Sequence, residues 1–122
     1  MSSGPIAIRG FKSGADFTTA SDIPIYDESH TQLEISATRR VRIITLWVST
    51  TLVGQTVTAF FGGAYLDSKA IFNYIASTAA QPSMIFFGHL GIAGMFGEAA
   101  KVVASGAGLA SIGFSGLLEF KG

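Results

Sequence analysis

The sequence lacks cysteine altogether and contains only two histidines. Without cysteine there is no disulfide framework, no thiolate zinc site and no cysteine nucleophile. His30 and His89 are isolated from each other in the chain, and no motif of metal-ligand or triad spacing surrounds either one. The acidic residues are scattered singly, so no pair of catalytic carboxylates stands out. We therefore predict that the protein is not an enzyme and has no catalytic residues, no cofactor and no metal ligands.

Charge is scarce as well. Charged residues make up 13% of the chain, compared with about 25% in an average domain. Eight basic and eight acidic residues give a formal net charge of zero, which excludes the basic surface expected of a nucleic-acid-binding protein. Hydrophobic residues reach 48%, and low net charge favours association. We expect one domain of 122 residues whose surface is partly covered by partner proteins, not by nucleic acid.

Three long segments, residues 43–66, 70–97 and 102–118, contain no charged side chain. The first two are long enough to cross a hydrocarbon layer of about 30 Å as helices, as in a holin-like membrane protein. However, polar residues interrupt the segments, and their β-branched and glycine-rich composition favours strands. The N-terminus also lacks the basic and apolar regions of a secretory signal. We predict no membrane partner and keep the holin-like protein as the less favoured alternative.

The first 31 residues differ in amino-acid composition from the rest of the chain. Glycine and proline punctuate residues 1–31, which predicts an extended N-terminal arm. Apolar anchors within it indicate that the arm docks, either on its own domain or on a neighbouring subunit; they are Phe11, Phe17, Ile23, Ile25 and Tyr26. From residue 32 to 122 short runs rich in valine, isoleucine, threonine and aromatics alternate with turn residues. This pattern predicts an all-β domain, an antiparallel β-sandwich.

Candidate strands follow from these runs: residues 32–37, 40–50, 56–61, 70–77, 83–87, 101–105 and 112–120, with 6–9 or 23–26 as additions. The last run has the clearest alternation, with Ile112, Phe114 and Phe120 on one face. Residues 40–50 are apolar on both faces, which is typical of a central or interface-facing strand. Strict alternation places Val41, Ile43 and Trp47 on one face of it.

Several segments occur in a familiar order: residues 39–51 (RRVRIITLWVSTT), 57–61 (VTAFF), 69–76 (KAIFNYIA), 81–87 (QPSMIFF), 88–92 (GHLGI), 101–105 (KVVAS) and 109–120. This order resembles a family of small tailed-phage structural proteins with a jelly-roll-like β-sandwich. The resemblance implies a virion component, most often a decoration or cement protein that binds the major capsid protein. It also implies synthesis in the host cytoplasm, a place on the capsid surface and a homo-oligomer such as a trimer. A tail, neck or fibre module is the alternative.

Two kinds of residue are candidates for an interface. Neighbours on a strand face opposite ways, so one ring each of Phe60-Phe61 and of Phe86-Phe87 should point away from the core. Three arginines form the one basic cluster and could contact acidic groups of a capsid protein, or pair within or between subunits with Asp27, Glu28 or Glu34. Outward aromatic rings could instead bind a host glycan. With the anchors of the arm, the candidate interface comprises Phe11, Phe17, Ile23, Ile25, Tyr26, Arg39, Arg40, Arg42, Phe60, Phe61, Phe86 and Phe87.

Overall fold

The computed structural model describes residues 4–14, 17–50, 54, 56–62, 70–75, 83–106 and 108–121. The described residues form strands joined by turns and contain no helix, hence none long and apolar enough to span a membrane. The strands are β1 (Ile6–Gly14), β2 (Ser21–Asp22), β3 (Ile25–Tyr26), β4 (Gln32–Leu33), β5 (Arg39–Thr50), β6 (Thr56–Phe61), β7 (Ala70–Ile75), β8 (Ser83–Phe86), β9 (Ile92–Ala93), β10 (Ala100–Ala104) and β11 (Ala110–Phe120). Residues 76 and 77, predicted as the end of a strand, lie outside the described ranges.

The strands pair in a mirrored order along the chain. β1 pairs with β11, β2 with β10, β5 with β8 and β6 with β7, all antiparallel. The result is two sheets, one with the order β1-β11-β5-β8 and one with β2-β10-β6-β7. Two sheets interleaved in this way form a jelly roll. β3 and β4 extend the larger sheet beyond β1, and β9 adds to β5. The predicted fold class, an antiparallel β-sandwich of jelly-roll type, is confirmed.

The N-terminal segment is built into the larger sheet. β1 is hydrogen-bonded to β11 along its whole length, from Ile6 opposite Leu118 to Gly14 opposite Ala110. Phe17, which follows β1, is buried in the core. Of the two placements expected for this segment, its own domain is the one observed. The segment is extended as predicted, but residues 6–14 are a central strand and not an arm outside the sandwich.

The core lies between the two sheets and is filled by aliphatic and aromatic side chains whose removal from water stabilises the fold. Strand β11 supplies alternate residues to it, among them Ile112, Phe114 and Leu118, as the alternation predicted. The Phe114 ring lies over Gly10, its cross-strand partner on β1. A methyl group at Gly10 would come within 2.0 Å of that ring, so only glycine fits beneath it.

Strand β5 breaks the alternation at a β-bulge. Ile43 pairs with Gly116 and Thr45 with Ser115, so Ile44 has no partner on β11. One extra residue reverses the faces of everything that follows it. Ile43 is buried before the bulge and Leu46 after it. The expectation that Trp47 shares a face with Val41 and Ile43 is therefore wrong, because the bulge moves its indole to the outer face of the larger sheet.

Candidate binding face of the larger sheet

An apolar row crosses the outer face of the larger sheet at right angles to its strands. Phe11 on β1 pairs with Gly113 on β11, Gly113 with Trp47 on β5, and Trp47 with Met84 on β8. Phe86 lies two residues beyond Met84 on the same face. The exposed fractions are 50% for Phe11, 70% for Met84 and 60% for Phe86. We call Phe11, Trp47, Met84 and Phe86 the apolar row.

The centre of the apolar row depends on the glycine in its middle. A methyl group at Gly113 would lie 2.4 Å from the indole of Trp47. The ring therefore rests directly on the backbone of β11, with the glycine giving it the room to do so. Neighbouring strands are about 4.8 Å apart, and the side chains of the row come from three of the four strands, with the indole of Trp47 covering Gly113 on β11. Soluble monomers rarely expose a contiguous apolar surface of this kind without a use for it.

A polar cavity of about 600 Å³ lies beside the apolar row, above the bulge of β5. Its floor is formed by the larger sheet, and two loops supply its rim: the loop between β3 and β4, and the loop between β8 and β9. Both histidines of the chain line it. The complete lining is Ala7, Ile8, Arg9, Asp27, Glu28, His30, Ile44, His89, Ser115, Gly116 and Leu117. We call it the polar cavity.

The loop between β3 and β4 has a well-defined geometry. The Asp27 carboxylate accepts hydrogen bonds from the backbone N–H groups of Ser29 (2.9 Å) and Thr31 (3.0 Å). The backbone N–H of His30 donates to the carbonyl of Asp27 at 3.0 Å. His30 has a φ of 63°, which is uncommon for a residue other than glycine, although histidine tolerates it better than most. These bonds hold His30 at the rim of the cavity.

The opposite rim connects the polar cavity with the apolar row. The ring of His89 meets that of Phe86 edge to face, with centroids 5.9 Å apart and an interplanar angle of 81°. Aromatic rings favour this arrangement because the positive edge of one meets the negative face of the other. Phe86 therefore belongs to both surfaces. Within the described ranges no group of three or more histidine, aspartate or glutamate side chains could hold a metal ion.

The arginine cluster ties β5 to β11. Arg40 Nε donates to Glu119 Oε1 at 2.7 Å, and Arg42 donates to both carboxylate oxygens, with Nε at 3.0 Å and Nη2 at 3.1 Å. The hydrogen bond from Arg42 and then that from Arg40 hold the pKa of Glu119 below its ordinary value, although burial acts in the opposite direction. Arg39 instead donates to the backbone carbonyl of Glu34 at 2.9 Å.

Within one copy of the chain, the acidic partners expected for these arginines are not the ones observed. Neither Asp27 nor Glu28 receives an arginine in the described part of the chain, and Glu34 contributes its backbone and not its carboxylate. The actual partner, Glu119, lies directly opposite Arg40 in the ladder of β5 and β11. The cluster is mainly an internal cross-strand bridge, because its guanidinium groups are already engaged.

The structure divides the predicted interface residues into three groups. Phe11 and Phe86 are exposed and belong to the apolar row. Those that are half-buried are Tyr26, Arg39, Arg40, Arg42 and Phe87. Those buried within the protein itself, and so unable to contact another molecule, are Phe17, Ile23, Ile25, Phe60 and Phe61.

The two phenylalanine pairs behave differently. Phe86 points outward and Phe87 packs against the core, as expected for neighbours on a strand. Phe60 and Phe61 also face opposite ways, since only Phe61 belongs to the core cluster between the sheets. Phe60 is nevertheless 0% exposed. Neither of this second pair provides a surface for a partner.

Sequence reasoning missed Met84, the outward position of Trp47 and the polar cavity. His30, which is isolated from His89 in the sequence, lines the cavity together with it and with Asp27 and Glu28. The sequence feature that could have indicated the apolar row is Gly113. A glycine within a strongly alternating strand often marks the close approach of another group, here the indole of Trp47.

No protein-family model matches the chain, and no curated protein matches it. Two chains of solved structure match. One is a chain from the disulfide-linked pili known as Bacillus endospore appendages, with a TM-score of 0.51 and 9% sequence identity over 98% of this chain and 90% of that chain. At this identity the likeness shows the fold alone, since one fold hosts many functions. The present chain, which has no cysteine, shares the all-β architecture with that pilus protein.

Proposed function

We propose that the protein is a non-enzymatic structural protein that uses the apolar row to bind the exterior of a viral capsid, as a decoration or cement protein. The observation that carries the proposal is the apolar row itself, in which Phe11 on β1 and Met84 and Phe86 on β8 are at least half exposed on the same outer face. The zero net charge supports it, because a neutral surface does not repel a large partner.

The size of the expected contact follows from the exposed side chains. Full burial of a phenylalanine or methionine side chain contributes about 1.5–3 kcal/mol. Phe11, Met84 and Phe86 are 50–70% exposed, so their burial would contribute about 3–5 kcal/mol in total per copy. A stable interface normally covers about 800 Å² on each partner, so residues around the row must join it. Binding to the assembled shell and not to its separated parts would stabilise the shell by mass action.

Other exposed apolar residues suit contact between copies. Leu90, Met95 and Leu109 lie in loops outside the apolar row and are largely exposed. In the proposed arrangement, the row binds the major capsid protein and these loops hold a homo-oligomer, such as a trimer, on the capsid surface. Synthesis in the host cytoplasm and addition to the shell belong to the same proposal.

The test compares a row variant with a control of the same chemistry. In the row variant, Phe11, Met84 and Phe86 are all replaced by serine; in the control, Ile6→Ser changes an exposed apolar residue of β1 outside the row. Quantitative mass spectrometry measures the copy number of each form in purified particles of the virus that would carry the protein. We expect wild type and Ile6→Ser in a fixed ratio to the major capsid protein.

The row variant should lose occupancy by about tenfold or more, since tenfold corresponds to only about 1.4 kcal/mol. Equal occupancy of all three forms would refute the role of the apolar row. A handful of wild-type copies in each particle would refute capsid decoration in favour of a tail, neck or fibre position. Complete absence from particles would refute a virion function.

A further inference from the structure

We propose that the polar cavity binds a neutral saccharide, at a site that adjoins the apolar row and shares Phe86 with it. Ionisable side chains are concentrated there: of the eleven residues that line it, five are Arg9, Asp27, Glu28, His30 and His89. Only 13% of the whole chain is charged, and the chain has no other histidine. Both histidines and three of the sixteen charged residues of the chain thus meet on one concave surface.

The side chains at the rim remain available to a ligand. In the described ranges, the side chains of Arg9, Glu28 and His30 make no hydrogen bond or ion pair, and the ring of His89 meets that of Phe86. The floor of the cavity is formed by strands of the larger sheet and not by a loop. Its floor contains the bulge residue Ile44, and bulges commonly occur where a strand must present side chains to a site.

The mixture of charges selects the class of ligand. An anion would meet Asp27 and Glu28, whereas a cation would meet Arg9, so neither is favoured. A neutral ligand with several hydroxyl groups can use them all. Carboxylates accept hydrogen bonds from hydroxyls, a guanidinium donates to them, and a neutral imidazole can do both. Among common neutral ligands, saccharides have this density of hydroxyl groups.

The dimensions and the aromatic wall agree with this class. A volume of about 600 Å³ lies within the usual range of small-molecule sites, about 300–1,000 Å³. Phe86 and His89 form one wall with planar rings, against which the apolar face of a sugar ring can pack while its hydroxyls reach the carboxylates. A longer saccharide would leave the cavity over Phe86 and continue onto Trp47 in the apolar row.

The test begins with the full chain on a printed array of bacterial and mammalian oligosaccharides. We expect retention of neutral oligosaccharides. The one bound best is then titrated calorimetrically against three cavity variants, Arg9→Lys, Glu28→Gln and His89→Ala. Each should weaken binding at least tenfold. Glu34→Gln is the matched control, because Glu34 is an exposed acid outside the cavity, and it should leave the affinity unchanged.

Several results would overturn the proposal. The array could retain no saccharide, or charged saccharides alone. The cavity variants could also bind the saccharide with the same affinity as Glu34→Gln. Capture of a protein loop by the cavity, with no saccharide bound, would also overturn it.

The four replaced residues are exposed, and the fluorescence of Trp47 during urea unfolding verifies that each variant is folded. Arg9→Lys and Glu28→Gln leave the apolar row intact, so both variants should keep wild-type occupancy in particles even where they lose saccharide binding, and the two proposals fail separately.

Discussion

The bulge of β5 depends on a glycine opposite it, so we expect Gly116→Ala to destabilise the fold. A methyl group at Gly116 would lie 1.9 Å from the carbonyl oxygen of Arg42 and 3.2 Å from Cα of Ile43. These are backbone atoms and cannot rotate away. An acceptable carbon–oxygen contact of about 3.3 Å requires β5 and β11 to separate by about 1.4 Å at this point. The hydrogen bonds on either side of the bulge would then weaken.

The expected loss can be estimated from three contributions. Overpacking costs about 1–3 kcal/mol, and two weakened ladder hydrogen bonds cost about 1 kcal/mol each. Alanine restricts the unfolded chain more than glycine does, which returns about 0.4–1 kcal/mol. The net loss is about 2–4 kcal/mol, a large part of the 5–15 kcal/mol that stabilises a typical domain.

Urea unfolding followed by the fluorescence of Trp47, the one tryptophan of the chain, measures this loss. At a slope of about 2 kcal/mol per molar urea, the midpoint of Gly116→Ala should fall by about 1–2 M. Gly14→Ala is the matched control on β1, where the added methyl lies 3.5 Å from the ring of Phe17, an ordinary contact. Its midpoint should stay or rise. If the two variants unfold at the same urea concentration, the reasoning about the bulge is refuted.

Three further predictions concern side chains. Glu119→Gln should lower the free energy of unfolding by about 1–3 kcal/mol at pH 7, because both arginines lose a charged acceptor. The pKa of Glu119 in the folded protein is lowered below 4.5. The difference between variant and wild type should therefore be complete above pH 4.5 and vanish as the pH falls through that lowered pKa. A pH-independent difference in urea unfolding would contradict this. Gly113→Ser should displace the indole of Trp47, because the new Cβ would lie 2.4 Å from it. The fluorescence emission of Trp47 should then shift to longer wavelength. An unchanged emission spectrum would disprove the packing of the indole on Gly113. Asp22→Asn removes the charge of a carboxylate that is 64% exposed and pairs with the 15% exposed Lys101. It should change the free energy of unfolding by less than about 1 kcal/mol because water screens the exposed partner, and a larger loss in thermal unfolding would show that the pair anchors β2.

The longer strands other than β1 were predictable because each is a run of β-branched and aromatic residues bounded by turn residues. β6 was predicted with its observed bounds, and β5 and β11 within one or two residues. The two-residue strands β2 and β9 have no periodic signal of their own. They exist because β10 and β5 present unpaired backbone groups at those points. Such strands are consequences of tertiary packing.

The binding face was less predictable than the fold. Phe11 and Phe86 could be named from the sequence because exposed aromatics in a poorly charged chain are conspicuous. The polar cavity could not, since it joins residues as far apart as Ala7 and Leu117. Their meeting depends on the pairing of β1 with β11 and on the one-residue shift at Ile44. Periodicity along a single strand contains neither piece of information.

The mirrored pairing of strands also determines when the protein can fold. β1 lies between β3 and β11, and residues 15–109 of the chain separate it from β11. At about 5–20 residues per second, β1 waits several seconds for β11, although β3 is made soon after it. Pairs that are local in sequence, such as β3 with β4 and β6 with β7, can form earlier. Folding should thus begin with these local pairs, and removal of residues 110–120 should leave a chain that cannot close its larger sheet.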